Sequence, residues 1–188
     1  MNPRYIDVHC HPFIEPLKAE QDAVIQKMKD EGIIGMVVGV DLKTSQESIA
    51  LAEKYDHLYA TVGLHPNDTL TESFDTTIYG SMVEHPKVVA VGECGIDYFR
   101  IEGDLETEKA RQWKNFEAQA EFAVANDKPM MIHCRPSKNS NDSYEEMFEF
   151  LSTKFQAPNP KLRGNMHFFV GNLEIAKKFW SIGFTTSF

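Results

Sequence analysis

The segment Asp7-Val8-His9-Cys10-His11 sets two imidazoles two positions apart in a short strand-like run. Successive side chains of a strand point to opposite faces, so His9 and His11 share one face and Cys10 takes the other. Paired imidazoles at the C-terminal end of a strand form a ligand pattern that divalent cations accept. Glu93 stands in Val91-Gly92-Glu93-Cys94-Gly95-Ile96-Asp97. A carboxylate in so apolar a strand is costly unless something compensates its charge, and a cation does so naturally. His133 in Met131-Ile132-His133-Cys134-Arg135 and His167 in Asn165-Met166-His167-Phe168-Phe169 repeat the design. Nitrogen and oxygen donors of this kind are suited to cation-assisted hydrolysis.

These residues sit on strand-like runs that alternate with amphipathic stretches, the rhythm of a parallel α/β fold. Seven strands are predicted: Tyr5 to His11, Gly35 to Val40, Leu58 to His65, Val88 to Asp97, Pro129 to Cys134, Leu162 to Phe169 and Gly183 to Phe188, with six helices between them. Tyr144, Met147, Phe148, Leu151 and Phe155 recur at helical spacing as one buried stripe. Trp113, Phe116, Ala120 and Ala123 do the same one unit earlier. An open doubly wound sheet would need no more strands than these. The polar residues decide between the two, because His9, His11, Glu93, His133 and His167 lie on the first, fourth, fifth and sixth strands and converge only if the sheet curls into a barrel. A complete (β/α)8 barrel takes about 250 residues. The 188 residues present therefore predict a single domain, a TIM-like barrel incomplete at its C-terminus.

Lys and Arg total 19 against 28 Asp and Glu, a net charge of −9, which excludes the broad cationic surface that dominates duplex binding. Nucleic acid would have to be met locally, through cations bound in an acidic cleft. Cys10, Cys94 and Cys134 are widely separated, without C-x-x-C spacing, so reduced thiols are expected. Each neighbours a proposed ligand and so faces the surrounding helices. Strand-like sequence from Tyr5 leaves no room for a signal peptide, and no window approaches the roughly 18 apolar residues of a membrane helix. A cytoplasmic protein without membrane contact is expected. Neither G-x-G-x-x-G nor G-x-x-x-x-G-K-S/T occurs, so no nucleotide cofactor is expected. His57, His85 and Lys128 precede strands, on the barrel rim that carries stability rather than chemistry.

Five segments resemble, in order and spacing along the chain, the TatD-related metal-dependent deoxyribonucleases. They are Asp7-Val8-His9-Cys10-His11, Gly63-Leu64-His65-Pro66, Gly92-Glu93-Cys94-Gly95-Ile96-Asp97-Tyr98, Ile132-His133-Cys134-Arg135 and His167-Phe168-Phe169-Val170-Gly171. The resemblance implies a TIM-like barrel that holds two divalent cations and cleaves phosphodiester bonds in DNA, with magnesium, manganese or zinc each compatible with the donors. It implies that His9 and His11 hold one cation, His133 and His167 the other, and that Glu93 bridges them. It also sets His65 beside the scissile phosphate, with Arg135 near it. A barrel mouth is too narrow for an intact duplex, so the expected substrate is single-stranded DNA or a frayed end. Asp97 fits either a carboxylate supporting the metal rim or an ordinary loop carboxylate.

Two departures from the family pattern stand out. Pro136 follows Arg135 where relatives often carry an acidic residue, ahead of a Ser-Lys-Asn-Ser-Asn loop. The family's aspartate at the end of strand eight has no counterpart here, so the chain is expected to be C-terminally truncated and weak or inactive as it stands. Its first and seventh strands would then present unpaired edges that promote association; the oligomeric state itself is left open. An amidohydrolase or lactonase acting on a small cyclic substrate would use the same barrel and H-x-H pair. Glu93 in the bridging position and the Gly-Leu-His-Pro segment favour the nuclease.

Overall fold

A computed structural model of the chain describes residues 3–155 and 159–188. Seven strands form one sheet: β1 (Tyr5–Cys10), β2 (Ile33–Val38), β3 (Leu58–Val62), β4 (Val88–Asp97), β5 (Met130–Arg135), β6 (Gly164–His167) and β7 (Phe184–Thr186). Between them lie α1 (Gln21–Asp30), α2 (Leu42–Lys54), α3 (Thr76–Val83), α4 (Leu105–Ala125), α5 (Asp142–Lys154) and α6 (Leu173–Ser181). Each strand pairs in parallel with the next, in chain order. A doubly wound sheet reverses direction at a switch point. This one never does, which is the winding of a barrel.

The sheet is also strongly curled. At about 4.8 Å per strand, β1 and β6 would lie roughly 24 Å apart in a flat sheet. Instead the rings of His9 on β1 and His167 on β6 stack with centroids 3.5 Å apart. Among the described residues the curl is not closed by backbone pairing, since β1 bonds only to β2 and β7 only to β6. Along that open side Tyr5, Ile6, Trp180 and Phe188 are exposed.

Local sequence explains the helix starts. Asp41, Asp75, Asp104 and Asn172 accept backbone N–H groups at the first turns of α2, α3, α4 and α6, satisfying donors that would otherwise have no partner. Tyr144, Met147 and Leu151 of α5 and Phe116, Ala120 and Ala123 of α4 are buried against the sheet, with Trp113, Phe148 and Phe155 packed partly buried around them. Cys94 and Cys134 lie inside this core, Cys134 facing Ser143 of α5.

Several strands end sooner than alternation alone predicts. β3 stops at Val62, so His65 sits in the turn beyond it, its amide donating to Val40 O at 2.7 Å. β6 stops at His167 because Phe168 takes φ 47°, outside the extended region. β7 begins after Gly183, which sits at φ 93°.

Bulges occupy the positions where alternation is most used. From Asp7↔Gly35 to Cys10↔Val37, β1 advances three residues while β2 advances two. From Val91↔Met130 to Cys94↔Ile132, β4 does the same against β5. A bulge re-aims the side chains around it, and these two fall at His9 and Glu93. Gly92 and Gly95 flank the second one at φ 141° and 144°, and a methyl on either would overlap the main chain of β5.

The opposite rim is built for stability. Lys128 Nζ donates to Val88 O at the start of β4, 2.6 Å away. His57 is buried, and its Nε2–H donates to Ile25 O at 3.1 Å. Burial holds the His57 pKa below its ordinary value, so the unfolded chain takes up a proton as pH falls through about 6.5 and the folded chain does not. This histidine's stabilisation is therefore full above that pH and fades below it. Replacing His57 with Leu should cost about 1 kcal/mol at pH 8, and urea titrations should find the gap from wild type narrowing toward pH 5.5.

Candidate metal centre

The C-terminal ends of the strands enclose a cleft of about 520 Å³, lined by His9, His11, His65, Glu93, His133 and His167 together with Arg135. Every site residue predicted from the sequence thus lines one cleft. Five of the chain's seven histidines converge on a single carboxylate.

Glu93, 3% exposed, divides its two oxygens between them. Oε2 faces His9 Nε2 at 3.3 Å and His11 Nε2 at 3.6 Å. Oε1 faces His133 Nδ1 at 3.0 Å, His167 Nε2 at 3.3 Å and His65 Nε2 at 3.6 Å. Burial alone would raise this carboxyl group's pKa, but hydrogen bonding from His11, His133, His167 and His9 outweighs it and holds Glu93 well below the usual carboxylate range. Mutual distances among donor atoms give a second grouping, His9–Glu93–His167 and His65–Glu93–His133. By that measure His9 groups with His167 and His65 with His133, where the sequence pairs His9 with His11 and His133 with His167.

His11 Nδ1–H donates to Val38 O at 2.9 Å, leaving Nε2 with a free lone pair aimed inward. His65 is the reverse case. Its Nδ1 accepts the Asn67 amide at 3.2 Å, so in the neutral ring the proton sits on Nε2, which points into the cleft as a donor. Burial, followed by the neighbouring His133, lowers its pKa to about 4. His133 lies between two carboxylates, with Glu93 at Nδ1 and Asp97 Oδ2 at Nε2, 3.1 Å away. Burial pulls its pKa down, but these two partners win and raise it. Asp97 is fully buried and also accepts the amides of Phe99 and Arg100. Its two oxygens thus serve both readings, one facing His133 as a carboxylate that can orient a histidine and the other capping the loop beyond β4.

The donor set fits divalent cations. His9 Nε2 and His11 Nε2 stand 2.9 Å apart, and the buried Nδ1 of His9 has no partner among the described residues. Burial lowers the His9 pKa, so its ring is disposed to be neutral. Imidazole nitrogens gathered round one ionised carboxylate donate to it when protonated and offer their lone pairs to a cation when they are not, so the same cluster suits a divalent ion.

Helix α4 locks this arrangement with three buried amides whose partners helical periodicity does not reveal. Gln119 makes two hydrogen bonds to the main chain of Leu64, with Leu64 N–H to Oε1 at 2.8 Å and Nε2–H to Leu64 O at 2.9 Å. Gln112 grips Asp97 in the same way at 2.8 and 3.2 Å. Asn115 Oδ1 accepts the Phe74 amide at 3.0 Å. One helix therefore sets the residue before His65 and the carboxylate behind His133. Asn67, Asp68, Arg100 and Phe168 also line the cleft and were not predicted; their only sequence signal is closeness to predicted residues.

A profile of the family described as TatD related DNase matches residues 6–188. An uncharacterized metal-dependent hydrolase of Mycoplasma genitalium is 33% identical over 183 residues, covering 95% of this chain and 64% of that protein. The uncharacterized metal-dependent hydrolase YjjV of Escherichia coli is 30% identical, covering 96% of this chain and 66% of that protein. The crystal structure of YjjV superposes with a TM-score of 0.81 at 29% identity, over 99% of this chain and 68% of that one. A 3'-5' ssDNA/RNA exonuclease TatD of Salmonella typhimurium is 34% identical over 121 residues, covering 62% of this chain and 44% of that protein. The chain spans about two thirds of the length of the first two relatives.

Replacing Gln119 with Leu would strip both partners from the buried main chain of Leu64. The expected cost is about 2–4 kcal/mol by guanidinium denaturation, the sum of two unsatisfied groups.

Proposed function

The chain belongs to the TatD-related DNase family, and from that premise we propose that it hydrolyses phosphodiester bonds at single-stranded or frayed ends of DNA. The observation that carries this reading is the division of Glu93, with one oxygen toward His9 and His11 and the other toward His133 and His167. That geometry suits a bridging carboxylate between two divalent cations, magnesium, manganese or zinc. Bound there, the cations would supply Lewis acidity toward a phosphoryl oxygen and a nucleophile at neutral pH.

The chain's own groups do the remaining work. His65 is neutral at pH 7 and offers Nε2–H as a donor toward charge that develops on the phosphoryl oxygens. Arg135 and Arg100 line the same cleft and would hold the substrate phosphate. Asp97 keeps His133 in one orientation, so that Nδ1 faces Glu93. We place this chemistry in the cytoplasm, consistent with three unpaired cysteines. We further propose that the chain is the greater part of a barrel whose eighth strand would supply one more carboxylate, and that its activity alone is weak. The one-sided pairing of β1 and β7 supports this.

The test is cleavage of an end-labelled single-stranded oligonucleotide with added magnesium, manganese or zinc, by this chain and by a form extended through an eighth strand. Both should cut, the extended form faster. Glu93→Gln should abolish cleavage and also the rise in Tm that cation binding produces. His65→Ala should slow cleavage about 10²–10³-fold while leaving that rise intact. Failure of both forms to cut with any cation, alongside turnover of a lactone, would replace the nuclease reading with the amidohydrolase one.

A further inference from the structure

Two phenylalanines near the cleft are exposed where core packing does not account for them, Phe168 in its lining and Phe99 behind the lining residue Arg135. Phe168, directly after His167, is 61% exposed, and Phe99, two residues beyond Asp97, is 52% exposed. The open side of the sheet does not explain Phe99, which follows the central strand β4. Phe168 is held at φ 47°, a left-handed conformation unfavourable for a bulky side chain. Strain of this sort persists at functional positions when the surroundings enforce it. Its ring lies 6.0 Å from the His167 ring and lines the same cleft as Arg100 and Arg135. The Arg135 guanidinium stands 4.3 Å from the centroid of Phe99, a planar cation laid against a ring.

We propose that Phe168 and the Arg135–Phe99 pair form a base-stacking subsite, on which the nucleobases either side of the phosphate held at the metal centre lie flat. The inference rests on the nuclease reading and deepens it. The chain carries net charge −9, yet Arg100 and Arg135 line this cleft, so phosphate is met there by charge and the bases by planar groups, with Arg135 serving both. Stacking accepts any base but requires an unpaired one. The subsite therefore selects single strands without reading sequence.

The experiment is equilibrium binding of a fluorescein-labelled phosphorothioate hexadeoxyadenylate, and of the same backbone with its two central bases removed, measured by anisotropy with manganese present. Turnover of bis(para-nitrophenyl) phosphate, which has no base, is followed in parallel. Wild type should bind the base-bearing strand about 10–100-fold more tightly than the abasic one, as stacking of one or two bases predicts. Phe168→Ala should lose about tenfold of that preference and Phe168→Tyr should keep it, each read as the ratio of base-bearing to abasic affinity in the same variant. Phe168→Gly should raise Tm by relieving φ 47° while losing the preference, which separates recognition from folding. Equal affinity of wild type for the two strands would overturn the subsite, as would equal weakening of both by Phe168→Ala. So would a dimer in wild type that Phe168→Ala dissolves without any base preference. A base preference without small-ester turnover, even in the form extended through an eighth strand, would keep the subsite and remove the nuclease reading.

Discussion

Everything at this end of the molecule follows from burying one carboxylate. Taking an ionised group out of water costs several kcal/mol even after relaxation, and Glu93 meets that cost with imidazoles from four different segments. No flat sheet could bring them there, so the curl, the two bulges and the paired glycines are geometric requirements of that single side chain. Each imidazole also needs its far nitrogen settled. Val38 O does this for His11, the Asn67 amide for His65 and Asp97 for His133, which assigns each ring a different capability although the residues are the same.

How much of this can be read along the chain depends on whether the controlling interaction is local. Strand alternation is local, and it is enough to find His9, His11, Glu93, His133 and His167 and to infer that the sheet must curl. The in-order winding and the seven-to-six count of strands and helices follow from the same pattern. Bulges are not local: the extra residue at Glu93 is defined only against β5. The α4 amides are hidden for the same reason. Gln112 and Gln119 fall four residues before and three after Phe116, on the buried face of α4, but their partners lie 15 and 55 residues away. His65 is legible as a residue but not as a tautomer, because the proton's location depends on the Asn67 amide two residues on. Asp97 could be settled only once His133 had been located.

The distribution of polar groups shows the same logic in reverse. The far rim uses Lys128 and His57 to tie off main-chain carbonyls, each with one bond and without any clustering of titratable groups. Both ends contain buried histidines, but only at the C-terminal ends of the strands do they share a partner. Buried histidine is thus an ambiguous signal by itself; convergence on a common acid is the informative one.

The open side of the sheet gives the metal centre a mechanical meaning. β1 is fastened to the barrel by β2 along one edge, and beyond that by His9 and His11 reaching across to Glu93 and His167. A cation gripping those imidazoles would act as a clasp on the curvature of the sheet as well as a reagent. Clasp and curvature are then thermodynamically coupled, and such coupling is reciprocal: whatever tightens the curl raises cation affinity, and whatever splays β1 outward releases the cation. A curled sheet whose first and seventh strands do not pair with one another among the described residues can in this way use its own chemistry to hold its shape.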